Sequence, residues 1–134
     1  MIGQAIASLS GDGSRGSLFL IYTVVVWVSV FLSAFIDNIP YTATMLPVAA
    51  VVTARLSQVS ASPVHPNLLY FGLLVGATLG GNLTPIGASA NIAGFGILRK
   101  AGYEVKSGTF MKFGVPFTLA AVLTGYLLVW LIWA

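Results

Sequence analysis

Two short polar, turn-forming stretches interrupt otherwise charge-free apolar runs, and they limit the possible folds more than any other feature of the chain. The first, Asp37-Asn38-Ile39-Pro40, follows nineteen uncharged residues, 18–36, and precedes fourteen more, 41–54, which Arg55 closes. The second, GGNLTPIGASAN at 80–91, lies inside thirty-one uncharged positions, 68–98. A helix rises about 1.5 Å per residue, so 18–36 covers about 28 Å, enough for a hydrocarbon core of about 30 Å. Residues 41–54 cover only about 21 Å, which is short for a crossing, and 18–54 as one straight helix would exceed any bilayer at about 55 Å. Pro40 disfavours helical dihedrals at Ile39, so a break is expected there. Backbone that leaves the helix at membrane depth survives only where protein buries it or where it lines a wet cavity.

The bilayer enters the argument through composition. Of 134 residues 57% are apolar and 7% charged, and the mean hydropathy is +0.96. Soluble domains carry about 25% charged residues. Nine charged side chains cannot coat a water-facing surface, which excludes an ordinary soluble enzyme, a disordered tail and a nucleic-acid-binding module. The net charge of +3 comes from scattered residues, so nucleic acid is not an expected partner. There is no Cys, and one His with three acids offers little for a metal site. No nucleophile–base pair or phosphate loop is present, and Gly80-Gly81-Asn82 with Gly87 forms neither GxxxxGK[ST] nor GxGxxG. The expectation is an all-α integral membrane protein that is not an enzyme and needs no cofactor.

Charges mark the remaining boundaries. Residues 1–17 read as a Gly/Ser-rich loop with a short apolar piece, and 56–67 as an exposed loop with Pro63 and Pro66. Residues 99–112 hold four of the six basic residues, and 113–134 form a last apolar helix ending in Trp130 and Trp133, suited to an interfacial anchor. The positive-inside rule then places loop 99–112 in the cytoplasm, with 56–67 and the C-terminus outside.

The polar residues in the interruptions admit two readings each. Asp37 is either a surface turn residue or helix cap, or a buried acid with a function. Asn38 and Pro40 are ordinary turn residues too. Asn82, Thr84, Ser89 and Asn91 place four polar side chains in ten positions of a charge-free span, which packing alone explains poorly. Gly72, Gly76 and Gly80, spaced by four, read as a helix-packing stripe, and Gly94 and Gly96 also favour packing. His65 lies in a loop with no assigned role, and Tyr22, Trp27 and Tyr70 read as core or interfacial aromatics. Short, Gly/Pro-interrupted apolar segments are the sequence pointer to a transporter site, where broken-helix ends meet ions.

FIDNIPYTATMLPV at 35–48 and GATLGGNLTPIGASANIAGFGI at 76–97 resemble the ion transporter superfamily. The nearest branch is that of the arsenite permeases, the D-type sodium/proton antiporters and the P-protein-like permeases. More distantly, Asn38 falls at the Asn of the Ser-Asn-Thr signature of dicarboxylate/sodium symporters, with Asp37 and Ile39 in place of its Ser and Thr. The carboxylate at that place weighs against a dicarboxylate substrate. Thr84-Pro85 and Asn91 resemble the second, unwound signature at a different spacing.

The resemblance implies two inverted-topology repeats, each with a re-entrant helical hairpin, a broken transmembrane helix and a final transmembrane helix. Carried onto this chain, 18–54 is the hairpin with its tip at 37–40, 68–98 the broken helix and 113–134 the last helix. Only the C-terminal repeat is matched. The chain is thus expected to be a fragment of a longer permease or a half-unit that pairs with an N-terminal repeat or a second chain, a homodimer among the options. The implied function is an ion-coupled secondary transporter of an ion or small anion, working by alternating access in the inner membrane of a prokaryote. The implied site comprises Asp37, Asn38, Thr42, Gly81, Asn82, Thr84, Ser89 and Asn91, with Na⁺ or H⁺ as coupling ion. Sodium would be held at Asn38, Asn82, Thr84 and nearby carbonyls. The alternative is an assembly subunit that transports nothing itself.

Overall fold

The computed structural model describes residues 15–60 and 64–134, and among them the chain is built from five helices without a strand. These are α1 (Arg15–Ser33), α2 (Asn38–Val59), α3 (Pro66–Gly80), α4 (Ser89–Lys100) and α5 (Ser107–Trp133). The expected loop and short helix at 1–17 falls mostly outside the described residues. Helices α1, α2 and α5 are each long and apolar enough to cross a membrane. The fold is all-α and of the membrane type.

Short α3 is the centre of the bundle: α1, α2 and α5 all pack against it, while α1 and α2 barely touch each other. α1 runs parallel to α3, since Tyr22 lies at Gly72, Val26 at Gly76 and Val30 at Gly80. α5 runs antiparallel to them. Gly114 abuts the Asn82 carbonyl, Gly125 abuts Val75, and Trp133 lies against His65 with ring centres 4.5 Å apart. The core along these contacts includes Tyr22, Val26, Leu68, Leu69 and Val122, joined by Val52 and Leu56 of α2. Large apolar side chains on the outer face of α5, such as Phe113 and Leu131, are exposed, as a lipid-facing surface requires.

The glycine stripe of α3 is a packing device. Tyr22 fills the space over Gly72, and its hydroxyl donates to the Tyr126 carbonyl at 2.8 Å. Val26 O and the Ser29 β-carbon close over Gly76. A β-carbon on Gly80 would lie 2.5 Å from Val30 O and 2.8 Å from Val30 Cα. Backbone cannot swing aside as a side chain can, so Gly80→Ala must push α1 off α3. The expected cost is about 1–3 kcal/mol, the usual range for overpacking, read as a lowered thermal midpoint in detergent. Gly96→Ala is the control, because a β-carbon there meets nothing within 4 Å. The same observation corrects the expectation that Gly94 and Gly96 serve packing: both face open space among the described residues, and α4 has no buried residue.

Several helix bounds differ from the sequence expectation for physical reasons. α2 begins at Asn38 and runs 22 residues through Arg55, reaching about 33 Å rather than ending at 54. Asp37 is its N-cap, so Pro40 lies in the first turn, where the missing N–H has no intrahelical partner to lose. The turn is therefore at 34–37, one step before the expected tip. α5 begins at Ser107 rather than 113, with Lys112 inside the helix. The interrupted segment stops at Gly80 and resumes at Ser89. His65 acquires a place: its Nδ1 accepts from the Asn67 N–H at 3.3 Å and caps α3.

Candidate functional site

Four helix ends meet at one end of the bundle. The carbonyl ends of α1 and α3 arrive side by side because the two helices run parallel, and α2 and α4 start from the turns that follow them. A helix end leaves up to four carbonyls or four N–H groups without intrahelical partners. Here carbonyls at the ends of α1 and α3 and an N–H at the start of α4 find partners from another segment, while α2 is capped by its own Asp37.

Three hydrogen bonds pin the end of α1 and the α1–α2 turn to α3, to the break at 81–88 and to the start of α4. The Ser33 hydroxyl donates to the Ala77 carbonyl, and the Thr84 hydroxyl donates to the Ala34 carbonyl. The third is made by Asp37. One carboxylate oxygen accepts from the Ile39 N–H at 3.2 Å, capping α2, and the other accepts from the Ser89 N–H at 2.9 Å, at the start of α4. A single carboxylate thus faces two positive helix ends, which is where helix dipoles favour an anion.

The break is closed by Asn91. Its amide donates to the Gly81 carbonyl at 3.0 Å and to the Thr84 carbonyl at 3.2 Å. Gly87 then sits under a cradle of oxygens. A β-carbon at Gly87 would be 2.6 Å from Gly81 O, 2.8 Å from Ala34 O and 3.0 Å from Ser33 O. Three carbonyls from two helix ends therefore converge on a point that only a hydrogen atom occupies.

Of the expected site residues, Asp37, Gly81, Thr84, Ser89 and Asn91 are brought together in this way. Ser89 takes part through its N–H. Thr84 and Asn91 act first as staples, their hydrogens directed to carbonyls of the turn and the break. Asn38 and Thr42 lie one helical turn apart at the start of α2, and Asn82 lies in the break; all three are partly exposed. Their side chains make no hydrogen bond among the described residues. No group of three His, Cys, Asp or Glu residues suited to a metal occurs among the described residues. Gly87, Ser33 and Ala34 also lie at this junction, and none of them was a candidate site residue in the sequence. A glycine within a polar break was the available signal for Gly87, while Ser33 and Ala34 contribute backbone that no side chain announces.

The fold defines an integral membrane protein in which a helix-turn-helix is pinned to an interrupted helix. The citrate transporter family profile matches residues 1–76, more than half of the chain, and the chain belongs to that family. Among curated relatives, a 46 kDa membrane protein of Mycobacterium leprae is 33% identical over 97% of this chain. An uncharacterised transporter of Mycobacterium tuberculosis is 32% identical over 96% of it. The P protein of Sus scrofa is 45% identical over 79% of it. The chain spans 28%, 29% and 12% of the lengths of these relatives, respectively. No solved structure matches the chain. The family and the relatives described as transporters agree with the sequence resemblance to the ion transporter superfamily and with a protein that is not an enzyme.

Proposed function

We propose that the chain forms one half of the transport site of an ion-coupled secondary transporter. The observation that carries this reading is the convergence of four helix ends on Asp37 and Gly87. The charge balance favours a cation here. Both helix N-termini are already matched by the Asp37 carboxylate, whereas the Ser33, Ala34 and Gly81 carbonyls and the amide oxygens of Asn38 and Asn82 offer further negative ends. H⁺ or Na⁺ exchanging at Asp37, with Asn38, Thr42, Asn82, Thr84, Ser89 and Asn91 around it, supplies the coupling. The transported ion or small anion binds where this half meets an N-terminal repeat or a second chain. The citrate in the family's description makes citrate the first anion to test. Loop 99–112 faces the cytoplasm of a prokaryote and the C-terminus faces outward, as the basic residues favour.

Reconstitution tests the reading. The protein encoded by the whole open reading frame that contains this chain is placed in proteoliposomes under an imposed Na⁺ or pH gradient. Gradient-driven flux of citrate or of the coupling ion is expected. Absence of any gradient-dependent flux, together with stable co-purification with a transporting partner, would establish the assembly-subunit alternative instead. That alternative draws on α4, which buries no residue within the described chain.

A further inference from the structure

The turn joining α4 to α5 concentrates positive charge on a shaped surface. α4 ends in a tight reversal: Gly102 adopts φ +85°, its N–H donates to the Arg99 carbonyl at 3.1 Å, and the Tyr103 N–H donates to the Leu98 carbonyl at 3.0 Å. Glycine takes this left-handed position at a helix end without steric cost, so the reversal is well defined. It leaves an open depression of about 410 Å³ lined by Arg99, Gly102, Tyr103, Glu104, Val105 and Lys106. Lys100 and Lys112 stand close by in the sequence, and Glu104 is the one acid within 99–112. Among the described residues none of these charges forms an ion pair. Of the lining residues Tyr103 is 65% exposed, and Ile97 and Leu98, which precede Arg99 in the last turn of α4, are 68% and 40% exposed.

Cations around a concavity and bare apolar side chains next to them fit the boundary between phospholipid headgroups and acyl chains. The turn sits at the end of α5, a helix long and apolar enough to cross the membrane, so that boundary is within reach. We propose that this depression binds the headgroup of an anionic phospholipid, with Arg99 and Lys106 on the phosphate and Ile97, Leu98 and Tyr103 against the first acyl carbons. The exposed apolar side chains of this turn and of the last turn of α4 favour a lipid over free phosphate, which has nothing to place against them. The four cations against one acid set its preference for anionic over zwitterionic headgroups. The site is separate from Asp37 and stands whether or not the transport reading holds.

The test uses the whole protein in a neutral detergent, titrated with phosphatidylglycerol, phosphatidylcholine or inorganic phosphate, and followed by native mass spectrometry and thermal midpoint. Phosphatidylglycerol is expected to bind more than tenfold tighter than phosphatidylcholine, in a salt-sensitive way, with inorganic phosphate unable to displace it. Replacing Arg99→Gln and Lys106→Gln together is expected to weaken phosphatidylglycerol binding about 30-fold, taking the usual surface attraction per basic residue. Arg99→Lys with Lys106→Arg should retain it, and Arg55→Gln, a basic residue on α2, should leave it unchanged. Equal binding of the two lipids, undiminished binding by the doubly neutralised protein, or displacement by phosphate would each overturn the proposal. If the neutralised protein fails to fold, the headgroup preference and salt dependence of the unmodified protein decide the matter.

Discussion

Asp37→Asn is expected to reduce gradient-driven transport to background while leaving the protein folded. The substitution separates the two things that the carboxylate does. Asn is as good an N-cap as Asp, so its carbonyl oxygen can still accept from the Ile39 N–H and hold the start of α2. With that oxygen used, its amide NH2 cannot accept from the Ser89 N–H; it also carries no charge to place between the N-termini of α2 and α4, and it cannot exchange H⁺ with Na⁺. The check is a proteoliposome flux assay alongside a thermal midpoint in detergent. Loss of flux of about tenfold or more, with a midpoint lowered by the one lost hydrogen bond but less than in Asp37→Ala, is the expected pair of results. Asp37→Ala should lose flux and midpoint together, since it removes the cap as well. If Asp37→Asn carries substrate with its Na⁺ and H⁺ dependence intact, Asp37 is a structural cap and the coupling lies elsewhere.

How far such a site can be read from sequence depends on which atoms build it. The interruption after Gly80 was legible, because glycines, a proline and four polar side chains within an apolar run leave few alternatives to broken backbone. Asp37 was legible for the same reason, although its bridging of two helix starts was not. The bounds of α2 were misjudged by giving Arg55 and Pro40 too much weight. Arg55 lies exposed within the helix, where its long stem can carry the charge away from apolar surroundings. Pro40 lies in a first turn that tolerates it. Thr84 and Asn91 were found as residue types, but their use as staples depends on carbonyls of Ala34 and Gly81 that carry no sequence signal. The glycine stripe of α3 was legible from its spacing by four. Gly94 and Gly96 lack such a register and proved to be open positions.

The oxygen cradle supplies the other large expected effect. Gly87→Ala adds one methyl group, at 2.6, 2.8 and 3.0 Å from the carbonyl oxygens of Gly81, Ala34 and Ser33. All three are backbone atoms of helix ends, so relief requires the α1–α2 turn and the break to move apart. That movement stretches the Thr84–Ala34 and Asp37–Ser89 hydrogen bonds, which hold the same two segments together. A stability loss of about 1–3 kcal/mol is expected from the overpacking alone. Transport should fall by far more than that loss of folded protein explains, because ion coordination responds to sub-ångström displacement of oxygens whereas the bundle around α3 keeps its own core. Gly94→Ala separates local crowding from a general effect of adding a methyl group. Its β-carbon meets nothing within 4 Å, and alanine inside α4 should be neutral or stabilising by about 0.5–1 kcal/mol. Flux per folded molecule, measured for both variants, checks the argument. If Gly87→Ala transports like Gly94→Ala, the carbonyls of Ser33, Ala34 and Gly81 form a structural contact, and the ion must be held by the side chains of Asp37, Asn38 and Asn82 without them.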